Sequence, residues 1–193
     1  MLVELGVDAL GVNFWPGSRR YVDPDTCGWL AESAGVILRV GVFVNAEEML
    51  PMRLFRGGVI DVVQLHGDET PEQVRVFRDA GVPVLKALGV AADGPAANPV
   101  SYDADGVLLD VHAPGVYGGT GHAFDWEKLR VFRGDHPSTP VILAGGIVPE
   151  NAAAAAAFGP SALDVASGVE FSPGIKDPDK VASLLKALRN GER

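Results

Sequence analysis

Short runs rich in Val, Leu and Ile recur along the chain at 9–14, 39–44, 62–66, 84–88, 106–111, 141–144 and 163–166. They are continuously apolar rather than alternating, as strands buried on both faces of a parallel sheet are. Their centres lie roughly 20 to 35 residues apart, the length of one strand–helix unit. Helical segments fill most of the gaps. A helix is expected over 24–34, after Asp23 as N-cap and with Pro24 at its first position. Others are expected over 46–55 after Asn45, 71–80 after Thr70 and ending at Gly81, 125–132, 149–158 and 177–189. The penultimate one contains the run Ala152–Ala157, a strong helix former. Residues 91–101 are rich in Ala, Gly and Pro, so an irregular connection is expected there.

Alternating strands and helices imply a parallel sheet, and both an open doubly wound sheet and a closed barrel fit. Seven strands are counted, and residues 1–5 read as the last turn of a helix with no strand before it. The expectation is an α/β protein of the (β/α)8 barrel type, a single domain over 1–193 that is clipped at its N-terminus by one strand.

Composition narrows the classes of function. Hydrophobic residues make up 47% of the 193, enough for a sizeable core. A net charge of −9 argues against nucleic acid as a partner, which clustered Lys and Arg would serve. It leaves room for one small phosphorylated substrate held by local donors. The one cysteine, Cys27, allows no disulfide framework within a chain, and a reducing, cytoplasmic setting is expected. No apolar run approaches the roughly 18 residues that a membrane span needs. The four histidines, His66, His112, His122 and His136, show no metal-ligand spacing, so no metal is expected.

In barrels the chemistry sits where strands end and the following loops begin. Gly145-Gly146 and Ser167-Gly168 end the last two apolar runs. Loops in those places often cradle phosphate with bare backbone N–H groups, because glycine lets the anion approach closely. Asp110 follows Val107-Leu108-Leu109 and stands at the mouth of a buried strand, a suitable place for a general acid or base. Asp164 has the same placement and either joins the site or fixes a neighbouring loop. Arg20 can grip a carboxylate bidentately, or share a solvated basic turn with Arg19. Lys86 is unusual inside a strand, and a structural ion pair is the favoured reading. His66 is the histidine placed near the site. Cys27, within the segment after Asp23, is read as a buried structural thiol.

At these strand ends the chain resembles the phosphoribosylanthranilate isomerase family over nearly its whole length. The resembling segments include Ser18-Arg19-Arg20-Tyr21-Val22, Gly41-Val42-Phe43-Val44-Asn45, Val63-Gln64-Leu65-His66-Gly67-Asp68-Glu69, Leu108-Leu109-Asp110, Gly118-Gly119-Thr120-Gly121, Leu143-Ala144-Gly145-Gly146 and Ser167-Gly168-Val169-Glu170. The resemblance implies an Amadori rearrangement of N-(5-phosphoribosyl)anthranilate in tryptophan biosynthesis, without cofactor, by a monomer or homodimer. It makes Asp110 the general acid, and Arg20, His66 and Asp164 substrate-binding residues. It puts the phosphate on Gly145, Gly146, Ser167 and Gly168, and makes Gly118, Gly119, Thr120 and Gly121 a lid loop.

The sequence departs from the family pattern in places. The family's general base is a cysteine in a Lys-x-Cys-Gly segment on the first strand, and Cys27 does not match it. Residues 1–193 alone are therefore expected to be inactive or nearly so. Val148 stands where a polar residue usually caps the next helix, a loss of about 1 kcal/mol. A different class of function is a non-catalytic sugar-phosphate-binding remnant or interaction module. A third is another phosphate-binding barrel enzyme, such as a ribulose-phosphate epimerase.

Overall fold

Each of the seven apolar runs forms a strand. They are β1 (Ala9–Asn13), β2 (Leu38–Phe43), β3 (Val62–Leu65), β4 (Val84–Ala91), β5 (Gly106–Val111), β6 (Val141–Leu143) and β7 (Ala162–Leu163). The computed structural model describes residues 1–91, 94, 95, 98–111 and 127–191. The chain divides into two compact units, Met1–Lys86 with Ser101–Asp105, and Ala87–Val100 with Gly106–Arg193.

In the first unit, β1, β2, β3 and the start of β4 pair in parallel and in sequence order, with Ala9 opposite Leu38, Val40 opposite Val62 and Val63 opposite Val84. The short helix α1 (Leu2–Leu5) is closed by Gly6 in the left-handed conformation, φ 84°. Helix α2 (Met49–Arg56) starts three residues later than expected, because Asn45 is itself left-handed at φ 49°. Helix α3 (Pro71–Asp79) begins where Thr70 and Gln73 form a reciprocal capping box. The segment expected as a helix over 24–34 is instead a 3₁₀ run, Cys27–Ser33. Asp23 turns the chain before it, accepting from the Asp25 N–H with its side chain and from the Thr26 N–H with its carbonyl. Phe14 stacks on Phe43 at 5.4 Å, and Leu65, Val74 and Phe77 are buried in the same apolar cluster.

In the second unit β5, β6 and β7 are parallel, with Val107 opposite Val141 and Ile142 opposite Ala162. Helices α4 (Glu127–Asp135), α5 (Ala152–Ala157) and α6 (Pro178–Gly191) follow β5, β6 and the last loops. The first two residues of the helix expected over 125–132 lie outside the described residues. Among its described residues, the Ala, Gly and Pro-rich connection carries the two-residue strand Gly94–Pro95, antiparallel to β4, and the 3₁₀ turn Pro99–Tyr102. Two short antiparallel strands, β8 (Glu170–Ser172) and β9 (Ile175–Lys176), form a hairpin before α6. No described helix is long and apolar enough to cross a membrane.

A repeated device closes the N-terminal ends of the strands. The residue before β3, Asp61, accepts the N–H of Arg39 in β2 at 2.8 Å. The residue before β5, Asp105, accepts the N–H of Val84 in β4 at 2.8 Å. The residue before β7, Ser161, accepts the N–H of Val141 in β6 with its hydroxyl at 3.2 Å. Each side chain thus satisfies a backbone donor at a strand start. Asp61 also takes the guanidinium of buried Arg39 in two further bonds, and Arg39 reaches the Gly58 carbonyl at 2.6 Å.

The Arg39 guanidinium, by hydrogen bonding first, holds the Asp61 carboxyl below the usual carboxylate range. A depressed carboxyl contributes stability that is present above its unfolded value, about 3.9, and lost as pH falls through the folded value. Asp61→Asn is expected to cost about 3 kcal/mol at neutral pH, the low end for a broken pair because Asp61 stays partly wet. The acid limb of stability against pH should flatten as well. Urea titrations of both proteins from pH 7 down to about 3 check both effects.

Candidate active site

At the C-terminal ends of the first unit's strands, polar side chains turn toward one another. β1 ends on Asn13, whose side chain accepts the Trp15 N–H and starts the turn that leads to Arg20. Arg20 is half-buried beside exposed Arg19, and its N–H is held by the Ser18 hydroxyl at 3.0 Å. β3 runs out into His66. The His66 N–H continues the sheet by donating to the Phe43 carbonyl at 2.8 Å. Its ring Nδ1 lies 2.9 Å from the Gln64 amide nitrogen. With Gln64 donating, Nδ1 is the acceptor and the ring proton sits on Nε2.

Beyond His66 the loop is tied down by several bonds. Glu69 and Lys86 pair at 3.0 Å with side chains 3% and 2% exposed. Lys86 also donates to the carbonyls of Gly67, at 2.7 Å, and Leu65, at 3.3 Å. Glu69 accepts the N–H groups of Asn45 and Gly67. Asn45 and Asp68 exchange two further bonds, one from the Asp68 N–H and one from the Asn45 amide. Lys86 thus makes the ion pair expected of it, with its head under the Tyr102 ring at 5.8 Å. Burial, then the Glu69 and Asp68 charges, push the Tyr102 phenol upward.

The second unit supplies the other candidates. Asp110 is buried near the end of β5, directly after Leu108 and Leu109, which are 1% exposed. Asp164 follows β7, is exposed, and continues the sheet through its N–H to the Leu143 carbonyl at 2.9 Å. Gly145 and Gly146 are both left-handed, φ 90° and 65°, so the loop after β6 depends on glycine. Asn151 braces that loop, accepting from the Val148 N–H at 2.8 Å and donating to the Gly146 carbonyl at 2.9 Å. The cap that a polar residue at 148 would have provided is thus replaced by a bond running the other way, and α5 begins only at Ala152.

Ser167 and Gly168 lie in a short 3₁₀ turn after β7. A Cβ at Gly168 would collide with the Ile147 carbonyl and crowd the Val148 Cα at 3.2 Å. The two glycine loops singled out in the sequence are therefore pressed against each other. The hairpin behind them holds the second loop. Lys176 donates to the carbonyls of Val165 and Ala166, and buried Glu170 accepts the Gly174 N–H.

Gly118, Gly119, Thr120 and Gly121 lie outside the described residues. Cys27 is buried, and its thiol donates to the Pro24 carbonyl at 3.2 Å. Burial, the largest influence, raises the Cys27 thiol above its usual value. Among the described residues no three His, Cys, Asp or Glu side chains gather to hold a metal ion. Sequence reasoning passed over Asn45, Gln64, Glu69 and Asn151 as working residues. Glu69 was visible as the last letter of the Gln64–Glu69 segment, but nothing local marked its partner.

The architecture belongs to the (β/α)-barrel class. It matches a solved phosphoribosylanthranilate isomerase from Thermus thermophilus with a TM-score of 0.81 at 38% identity, over 98% of this chain and 92% of that one. A further solved isomerase, in complex with reduced 1-(o-carboxyphenylamino)-1-deoxyribulose 5-phosphate, matches with a TM-score of 0.79 at 32% identity, over 97% and 90%. The N-(5'-phosphoribosyl)anthranilate isomerase of Myxococcus xanthus is 44% identical over 97% of this chain and 88% of its own length. Residues 1–187 match the family described as N-(5'phosphoribosyl)anthranilate (PRA) isomerase. The chain belongs to the phosphoribosylanthranilate isomerase family.

Proposed function

We propose that the protein converts N-(5'-phosphoribosyl)anthranilate to 1-(2-carboxyphenylamino)-1-deoxyribulose 5-phosphate, a step of tryptophan biosynthesis, in the cytoplasm and as a monomer or homodimer. The reading is supported by the seating of Gly168 against the Ile147 carbonyl, which sets the Gly145-Gly146 loop and the Ser167-Gly168 turn side by side, as a shared phosphate site needs. Gly145, Gly146, Ser167 and Gly168 bind the phosphate. Arg20 takes the anthranilate carboxylate, His66 and Asp164 contact the substrate, and Gly118–Gly121 close over it.

Asp110 gives its proton to the ring oxygen, the C1–O bond breaks, and the nitrogen lone pair completes a Schiff base. A base then removes the proton from C2, and the enolamine so formed takes a proton at C1 as the C2 hydroxyl becomes a ketone. Atoms and electrons balance within the substrate, so no cofactor is required. Cys27, buried, hydrogen-bonded and raised in pKa, is unsuited to be that base.

Binding tests the site independently of turnover. Reduced 1-(2-carboxyphenylamino)-1-deoxyribulose 5-phosphate, titrated calorimetrically into residues 1–193, should bind saturably and be displaced by inorganic phosphate. Absence of saturable binding to the folded protein would sink the proposal.

A further inference from the structure

We infer that Glu69 and Lys86 are positioning residues, which fix the His66–Asp68 loop for the ligand rather than adding stability to the fold. The inference rests on the proposed role of His66 as a substrate contact. The pair is almost wholly out of water, at 3% and 2% exposure. Removing two charges from water is costly, and buried pairs of this kind are on the whole no more stabilising than apolar side chains of similar volume. What the pair does deliver is geometry. Gly67 is gripped at both of its backbone polar groups, its N–H by Glu69 at 2.9 Å and its carbonyl by Lys86 at 2.7 Å.

The same carboxylate takes the Asn45 N–H at 2.8 Å, so the loop after β2 is tied to the loop after β3. Lys86 lies within β4 opposite Leu65, whose carbonyl it also reaches, so a third strand joins the tie. Space allows no slack, because a Cβ at Gly67 would collide with the Asn45 side chain. The pair therefore sets where the residues on either side of Gly67 point, and one of them is His66. A purely structural pair would need none of this contact with loop backbone.

The test is the double variant Glu69→Gln with Lys86→Met. It removes both charges, keeps the length of the side chain at 69 and shortens that at 86 by one atom, and leaves an amide oxygen to accept one N–H. Three readouts are taken on residues 1–193: the urea midpoint, amide exchange at Asn45 and Gly67, and the affinities for reduced 1-(2-carboxyphenylamino)-1-deoxyribulose 5-phosphate and for inorganic phosphate. The midpoint should stay near that of the parent protein. Exchange at the two amides should speed up by about tenfold or more as the loop loosens. Affinity for the reduced product should fall about tenfold, the worth of one charged hydrogen bond, while that for inorganic phosphate holds.

Unchanged exchange, or faster exchange with unchanged reduced-product affinity, would overturn the inference. So would equal losses for both ligands together with a lower midpoint, the mark of a purely structural pair. Failure of the parent protein to bind reduced product would instead count against the proposed function. In that case the exchange rates alone decide whether the pair holds the loop.

Discussion

Asp110→Asn is expected to lower kcat for the proposed isomerisation by about 10²- to 10⁴-fold. The amide matches the carboxyl in size and can still accept a hydrogen bond, but it has no proton to give to the ring oxygen. Water is a poor substitute at this position, because Asp110 is only 6% exposed and follows Leu108 and Leu109, each at 1%. Those buried neighbours also hold the strand, so the substitution should not displace the backbone. The loss should appear equally in kcat and kcat/KM, the sign of an interaction made only in the transition state. Affinity for the reduced product should change little, because the proposed contacts to its carboxylate and phosphate do not involve Asp110. Steady-state kinetics together with calorimetry separate the two effects. A large loss of affinity with kcat preserved would recast Asp110 as a binding residue.

Gly168→Ala should have the largest effect on binding. The added methyl group would overlap the carbonyl oxygen of Ile147, which is backbone and cannot swing aside as a side chain could. Relief requires the loops after β6 and β7 to part, and overpacking of this kind costs about 1 to 3 kcal/mol of stability. Parting them would also spoil the proposed phosphate site, where charge-assisted bonds of about 1.5 to 3 kcal/mol each are expected. Inorganic phosphate affinity should therefore drop by about tenfold or more, and a phosphate titration by calorimetry measures it. Gly134→Ala is the control. It lies near the end of α4 with open space around its Cβ position, and should leave phosphate binding unchanged. Equal phosphate affinity in the Gly168 variant would move the phosphate site elsewhere.

The strands were legible because burial on both sides leaves an unbroken apolar run, a mark that survives without any knowledge of partners. All seven runs form strands, most within a residue or two of the expected limits, though β4 runs on to Ala91 and β7 is cut to Ala162–Leu163. The helices were harder where polar side chains claim the chain first. Asn45 is left-handed and spent on Asp68, so α2 waits until Met49. Asp23 draws the following residues into a turn, and a 3₁₀ run results. The hairpin Glu170–Lys176 went unread because it is held by polar bonds at Glu170 and Lys176, with Phe171 83% exposed.

Site residues divide in the same way. The positions of Asp110 near the end of β5, and of Gly145, Gly146 and Gly168 in the loops after β6 and β7, were legible because a strand end or a missing side chain is itself the signal. Lys86 was legible as one half of an ion pair, but its partner Glu69 lies 17 residues away. The two meet only because β3 and β4 pair in the register that sets Leu65 opposite Lys86. Asn151 was read as part of a helix start, and it does precede α5, but its brace on the Gly146 loop went unread. Such roles depend on which loops pack together, and no local pattern encodes that.

The most direct test is to supply N-(5'-phosphoribosyl)anthranilate to the protein, with no metal or cofactor added, and to follow the product by chromatography. Stoichiometric conversion to 1-(2-carboxyphenylamino)-1-deoxyribulose 5-phosphate is the predicted result. No conversion by a folded protein that still binds phosphate would contradict it and leave a binding protein on an isomerase fold.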